Sequence, residues 1–283
     1  MTDDKKSILG LEKVLIISEN MAEYGVKDLI DILLRNTHLS GTAYAAICKD
    51  KASNILGINI KGYPSSADFI GGLIKNSVYY NFFSNEYKVM DLFYTIDSEG
   101  CNITLPYIEI KDQGIQITGM ALFNKNKMVA KVNVDEYKIM NIMRENNVKG
   151  ILSILKTPKE YTDYYATSKR KIYCTKEGDK YKFTIDIDLK GEIITDTLYK
   201  NLQEDPKKND VFDNEMAEKV KKSCNDFIIK MKNEYKVDCL QLGEVAAAKY
   251  GRQTGVDWNS IVCNSDIIVN VKVNVEKTGR GDY

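Results

Sequence analysis

Tyr181-Lys182-Phe183-Thr184-Ile185-Asp186-Ile187-Asp188-Leu189 alternates aromatic or aliphatic residues with polar ones. Successive side chains on a strand point to opposite faces, so this stretch reads as a strand with one buried face and one wet face. A second alternating run, Ile267, Val269, Val271, Val273 and Val275, lies near the C-terminus, with Ile268 the one apolar residue on its other side. Residues 193–199 read as a neighbouring strand, and 201–210, with Pro206, as a polar loop. Met216, Val220, Cys224, Phe227, Ile228 and Met231 recur at helical spacing and predict a helix over 213–235, its other face Lys, Glu and Asn. A sheet with one apolar face needs a cover, and this helix supplies it. The C-terminal part is therefore predicted to be α+β.

Upstream the pattern changes. Residues 12–18 centre on Val14-Leu15-Ile16-Ile17 and read as a buried strand. A helix carrying Val26, Leu29, Ile30, Leu33 and Leu34 follows, then a strand over 42–48 and a helix over 50–56 closed by Gly57. That alternation predicts α/β packing. Ser65 or Ser66 can cap a helix with Phe69, Ile70, Leu73, Ile74 and Val78 inward. Another helix, with Val89, Leu92, Phe93 and Ile96, stops at Gly100. Strands are expected over 102–110, 115–123 and 128–134, the last two joined at Asn124-Lys125-Asn126-Lys127. A helix over 135–145 and a strand over 151–155 close this middle part. Boundaries are expected near 60–105 and 150–165.

Composition limits the functional classes. The chain has 283 residues, 43% of them hydrophobic, enough for real cores. Lys+Arg and Asp+Glu stand at 40 each, and no long basic block occurs, so there is no electrostatic case for nucleic acid. The apolar runs are strand-sized, whereas a spanning helix needs about 20 apolar residues. The first residues, Met1-Thr2-Asp3-Asp4-Lys5-Lys6, are polar and unlike a signal peptide. The six cysteines (Cys48, Cys101, Cys174, Cys224, Cys239 and Cys263) form no C-x-x-C pair and read as free buried thiols, with one disulfide left open because sequence does not give connectivity.

Motifs that carry chemistry fail on their own residues. Gly114-x-x-x-x-Gly119 has phosphate-loop glycine spacing, but Met120 and Ala121 stand where Lys and Ser/Thr are needed. Asp186-x-Asp188 resembles the start of a calcium loop, but Lys190 puts a cation at a ligand position and Thr197 stands in place of the bidentate Glu. His38 is the single histidine and reads as an exposed residue after a helix. Asn102-Ile103-Thr104 and Arg280-Gly281-Asp282 are read as chance patterns. Trp258 is expected to be a core aromatic against the strand at 267–275. No catalytic, cofactor-binding or metal-ligating residue is assigned, no cofactor is expected, and the chain is read as not an enzyme.

Leu11-Glu12-Lys13-Val14-Leu15-Ile16-Ile17-Ser18-Glu19, Leu33-Leu34-Arg35-Asn36, the strand Ala43 to Cys48 and Lys51-Ala52 follow one another in the order seen in one family. So do Leu105-Pro106, Ile117-x-Gly119-x-Ala121-x-Phe123, Lys127-Met128-Val129 and Glu136. Asp238-Cys239-Leu240-Gln241-Leu242-Gly243, Trp258, the run 266–275 and Thr278-Gly279 complete the order. The chain resembles the C subunits of spore germinant receptors, the GerAC or Ger(x)C lipoproteins. The family fold is three domains, each a sheet with helices. With the patterns above it predicts a multi-domain α/β and α+β protein with several mixed or antiparallel sheets, each covered by helices. The divisions are 1–62, the remainder of an N-terminal α/β domain; 63–160, a middle helical and β domain; and 161–283, a C-terminal α+β domain with a long helix on an antiparallel sheet.

The resemblance implies a non-enzymatic subunit of a nutrient receptor that starts germination. Its partners would be membrane-embedded A and B subunits, on the outer face of the spore inner membrane. Family members carry a signal peptide and a lipid-modified cysteine ahead of this region. An anchoring cysteine is therefore expected outside this sequence, and none of the six present fits it. A second reading is an extracytoplasmic protein that binds the nutrient itself.

Overall fold

The computed structural model describes residues 11–35, 40–112, 114–199, 202 and 206–278. Backbone contacts divide the chain into two units: residues up to Lys75 with Asn85–Val134, and Asn76–Ser84 with residues from Asp135 on.

The first unit follows the strand–helix alternation. Strands β1 (Val14–Ser18), β2 (Tyr44–Cys48), β3 (Thr104–Lys111), β4 (Gly114–Asn124) and β5 (Lys127–Val132) form one sheet in that order. β1, β2 and β3 are parallel, while β4 and β5 turn back antiparallel. Parallel strands need crossover segments and cover on both faces. Helices α1 (Glu19–Tyr24), α2 (Lys27–Arg35) and α5 (Val89–Asp97) share a core with one face, through Ala22, Val26, Ile30, Val89 and Leu92 against Ile17, Ala45, Ile47, Leu105 and Tyr107. Ala46, Cys48, Ile108, Met120 and Leu122 are also fully buried. Between them in sequence run α3 (Ala52–Leu56) and α4 (Ser66–Tyr80). Ser65 caps α4, its hydroxyl accepting the Asp68 backbone N–H at 3.1 Å.

The second unit is built on β6 (Val148–Thr157), β7 (Glu160–Glu177), β8 (Lys180–Asp196) and β9 (Asp266–Thr278), in that order. β6, β7 and β8 are antiparallel, but β9 joins β8 in parallel. The sheet is therefore mixed, where an antiparallel one was expected. Phe183, Ile185, Ile187 and Leu189 are buried, as the opening motif requires. Helix α7 (Pro206–Lys230), continued by a π-helical turn at Met231–Tyr235, covers β9 with Phe212, Met216, Val220, Cys224, Phe227 and Met231 inward. It starts earlier than expected, with proline at its first position, where the missing N–H costs nothing. α6 (Val134–Arg144) precedes the sheet, and the short helices α8 (Leu242–Tyr250) and α9 (Trp258–Cys263) lie between α7 and β9 in sequence. Chain segment 81–82 enters this unit. Asn81 bridges Gly150 at the sheet edge, and the Phe82 N–H donates to the Lys149 carbonyl at 2.7 Å.

The sheets depart from the sequence expectations in their division and in one strand. The first sheet takes strands from both sides of residue 62, and β6 lies in the second sheet although it precedes residue 160, so the sheets do not follow the divisions at 62/63 and 160/161. β7, the longest strand, carries Thr162, Tyr164, Ala166 and Ser168 on its buried face and lacks the apolar alternation that marks a strand. Residues 193–196 continue β8 instead of forming a neighbour. Gly191 permits the close approach of β8 to β7: a Cβ there would overlap the Tyr165 carbonyl.

Gly191→Ala should lower stability by about 3 kcal/mol, because a backbone neighbour cannot yield as a side chain can. Chemical denaturation reads this, and an unchanged midpoint would contradict the close approach. Trp258 is 6% exposed, with its ring 5.6 Å from that of Tyr181 on β8. Trp258→Ala should cost about 3–5 kcal/mol, and a melting temperature near the parental one would show that the indole is not part of the core.

Candidate functional site

The residues tested for chemistry take up structural places. Gly114 and Gly119 lie on β4, and a Cβ on Gly119 would overlap the Val132 carbonyl of β5. Asp186 and Asp188 lie on the uncovered face of β8, where Asp186 accepts from the Asn270 side-chain amide at 2.8 Å. Asn102 is buried and its Oδ1 accepts the Lys125 N–H at 3.0 Å, which holds the β4–β5 turn. His38 and Arg280-Gly281-Asp282 lie outside the described residues. All six cysteines are free thiols. Burial pushes the Cys48 and Cys263 thiols up to about 11 and Cys224 up to about 12, so little nucleophilic thiolate exists at neutral pH. Among the described residues no three His, Cys, Asp or Glu side chains converge in a way that could hold a metal ion.

The most ordered polar cluster gathers around Asp238, which is fully buried. One carboxylate oxygen accepts the Leu240 N–H at 3.0 Å and the other the Gly243 N–H at 2.7 Å. The Asp238 N–H donates to Asn259 Oδ1 at 2.9 Å, which ties α9 to the same point. Arg144, 4% exposed, donates from Nη1 to the Cys239 carbonyl at 2.9 Å and from Nε to Glu145 Oε1 at 3.0 Å. Arg170 on β7 adds a second guanidinium; burial holds it below its usual range, with Glu145 opposing. A buried charge must be paired and hydrogen-bonded, and the network does this for Arg144, while the buried Nε of Arg170 lacks a hydrogen-bond partner. The turn it holds contains Lys236 and Gln241, both with left-handed backbone at φ 52° and 60°. The cluster holds α6, α8, α9 and β7 together. Asp238, Gly243 and Trp258 were visible in sequence as a pattern. Arg144 and Arg170 were not, because a basic residue at a helix end or on a strand reads as solvated.

A smaller cluster sits in the first unit. Burial raises the Tyr107 hydroxyl, which bonds Glu19 at the start of α1. Burial also works against Glu109, but hydrogen bonds from Thr118 and Lys131 outweigh it and hold the carboxyl below its usual range. Lys131 approaches Glu109 to 3.2 Å and lies 4.2 Å from the centre of the Tyr107 ring.

Outer surfaces differ in kind. On α1, α2 and α5 the residues turned away from the core include Tyr24, Ile32, Met90 and Tyr94, exposed by 77%, 67%, 42% and 69%. Residues 19–35 hold four acids and two bases, and residues 86–99 four acids and one base. The uncovered face of the second sheet instead carries alternating charge in cross-strand rows, Lys169–Asp188–Lys272 and Lys171–Asp186–Asn270. A shallow open groove of about 200 Å³ lies between α6 and α7, over Ile139 and Phe227, with Lys230 bonded to Glu136 at its rim.

Comparison with known proteins finds similar sequences and a similar fold over most of the chain. The family described as "Spore germination B3/ GerAC like, C-terminal" matches residues 118–279, and the one described as "Spore germination protein N-terminal domain" matches residues 2–110. The spore germination protein GerQC of Bacillus cereus is 24% identical over 282 residues, covering 96% of this chain and 76% of its own length. A solved structure titled "Crystal Structure of the GerBC protein" shares the fold, with a TM-score of 0.71 at 16% identity, over 93% of this chain and 78% of the other.

One titration is accessible to test. Phe212 packs between Tyr164 and Tyr199, 5.6 Å from each ring. Beside it Asp213 accepts the Val275 N–H, while burial, aided by Asp210, pushes its carboxyl up to about 6. The folded state thus favours the protonated acid. This contribution to stability is present below the unfolded-state value and is lost as pH rises through about 6. Asp213→Asn should remove the decline and, after allowance for solvent screening, stabilise the protein by about 1 kcal/mol at neutral pH. Thermal melts of both proteins between about pH 4 and 7 check it; parallel curves would mean that the carboxyl is solvated.

Proposed function

The chain belongs to the GerAC-like family of spore germination proteins, and from that premise we propose that it is a non-enzymatic subunit of a nutrient germinant receptor, acting by contact with membrane-embedded A and B subunits. The observation that carries this reading is the family match over both parts of the chain. The structure adds support of a physical kind. Its polar clusters are spent on holding turns and helices: Asp238 on backbone N–H groups, Arg144 on a carbonyl, Glu109 on Thr118 and Lys131. The described groove between α6 and α7 is shallow and open, a form suited to a protein contact more than to enclosing a small nutrient.

Residence would be on the outer face of the spore inner membrane, through a lipid on a cysteine outside this sequence. No helix among the described residues is long and apolar enough to cross a membrane. One acyl chain binds a bilayer only marginally, so a second contact is needed. With basic and acidic residues equal in number, the chain offers little attraction to anionic headgroups, and the second contact falls to protein partners.

Two measurements test this. Spores lacking the gene should respond several-fold more slowly to a mixture of amino acids, sugars and nucleosides, with recovery when the full-length lipidated protein is restored. A deletion strain that germinates at the parental rate would remove the receptor role. In flotation with anionic vesicles, the unlipidated chain should stay in the soluble fraction at low and moderate salt. Strong, salt-sensitive flotation would instead assign the second contact to the bilayer.

A further inference from the structure

The outer side of the α1–α2–α5 layer is a surface whose chemistry names its occupant. α2 and α5 pack on one another, and their inward residues are consumed by the sheet core. Ile32 on α2 and Met90 and Tyr94 on α5 are not needed there and stand exposed, with Tyr24 at the end of α1. Met90 and Tyr94 are one helical turn apart and share a face, which continues to Asp97. Exposed apolar side chains scattered singly need no explanation, but aromatics and methionine on adjoining helices are the residue types enriched at protein interfaces.

Charge decides between occupants. In the two segments that form this layer, 19–35 and 86–99, the exposed charges are Glu23, Asp28, Glu86 and Asp97 against Lys27 and Arg35, in a chain whose total is balanced. Asp28 and Asp97 are exposed on the same helices as Ile32 and Tyr94. A surface of this sign repels anionic headgroups and attracts Lys and Arg. We propose that the outer face of the α1–α2–α5 layer docks a basic segment of a partner protein, one that places apolar anchors against Ile32, Met90 and Tyr94 and Lys or Arg against the surrounding acids. This inference rests on the receptor-subunit reading and locates its contact.

The test uses the full-length lipidated protein in spores, with a photoreactive p-benzoylphenylalanine replacing Ile32 or Tyr94 and, as control, Ile268 on the uncovered face of the second sheet. Cross-links from positions 32 and 94 should map by mass spectrometry to a protein segment with more Lys and Arg than Asp and Glu, and position 268 should not give that product. Asp28→Lys/Asp97→Lys should reduce the yield by at least about tenfold, the equivalent of losing one strong interface contact. Cross-links to lipid, to a neutral or acidic segment, or to the same segment from position 268 would overturn the proposal, as would an unchanged yield on charge reversal. Ile32→Glu/Tyr94→Glu, at exposed positions and checked for an unaltered melting temperature, supplies the functional arm. If deletion of the gene blocks germination while this variant germinates at the parental rate, the docking surface is wrong and the receptor role stands. If deletion itself has no effect, the receptor role fails instead.

Discussion

The second unit depends on how closely β7 and β8 approach. Their ladder runs from Thr162 opposite Asp196 to Glu177 opposite Lys180, nearly the full length of both strands. Every buried backbone N–H and C=O must find a partner, and a long antiparallel ladder supplies them in register. Gly191 is where the approach is tightest, since any side chain there would meet the Tyr165 carbonyl. The ladder fixes which residues face α7 and α8, so β9 can add in parallel with Val269 and Val273 already on the buried side. Tyr164 crosses this layer as well: its hydroxyl lies 3.1 Å from the Leu189 carbonyl and 2.8 Å from that of Asn274, linking three strands through one side chain.

Against that sheet the Asp238 network settles the small helices. α8 and α9 are short, nine and six residues, and helices of that length do not persist in water alone. Burial of a carboxylate without partners would cost several kcal/mol. Here burial raises the Asp238 carboxyl above its usual range, while the backbone N–H groups on each oxygen and, more weakly, Arg144 from α6 work against that rise. The consequence is specificity of position: Leu240, Gly243 and Asn259 can satisfy Asp238 together only when the turn, α8 and α9 occupy one arrangement. Gln241 accepts a left-handed backbone within that turn. The spacing of Asp238 and Gly243 in sequence is the trace of this geometry.

Much of the fold was legible because apolar periodicity and burial coincide. Val26 just before α2, Ile30 on it, Ile70 and Ile74 on α4, and the odd positions of β8 are where a hydrophobic pattern places them. What escaped reading has physical reasons. β7 buries Thr162 and Ser168, whose hydroxyls are satisfied inside, the one by Asp196 at 2.7 Å and the other by the Ile142 carbonyl at 3.4 Å. Such a face looks polar in sequence. Gly191 carries no periodic signal in the sequence, and its role, to permit contact with β7, shows only in the fold. The divisions between domains were set by changes in composition, whereas β2–β3 pairing, which joins residues 47 and 107, is a long-range event with no local mark. For the site, the acids on α2 and α5 were visible singly; that both helices cover one sheet face, and so pool their charge, is a property of the fold.

A balanced total charge therefore hides an uneven surface. On the second sheet, Lys169, Asp188 and Lys272 lie side by side across three strands, and each charge meets its opposite within the face. Such alternation of sign discourages edge-to-edge and face-to-face association. The α1–α2–α5 face is the reverse case. Its exposed acids, Glu23, Asp28, Glu86 and Asp97, outnumber its exposed bases, Lys27 and Arg35, and stand on the same helices as exposed Ile32 and Tyr94 or next to them. Self-compensation removes the reason for a surface to bind, and its absence supplies one. In a family whose members serve germination, this acidic and partly apolar face is the one proposed for partner contact, since both sign and apolar anchors can select a protein segment.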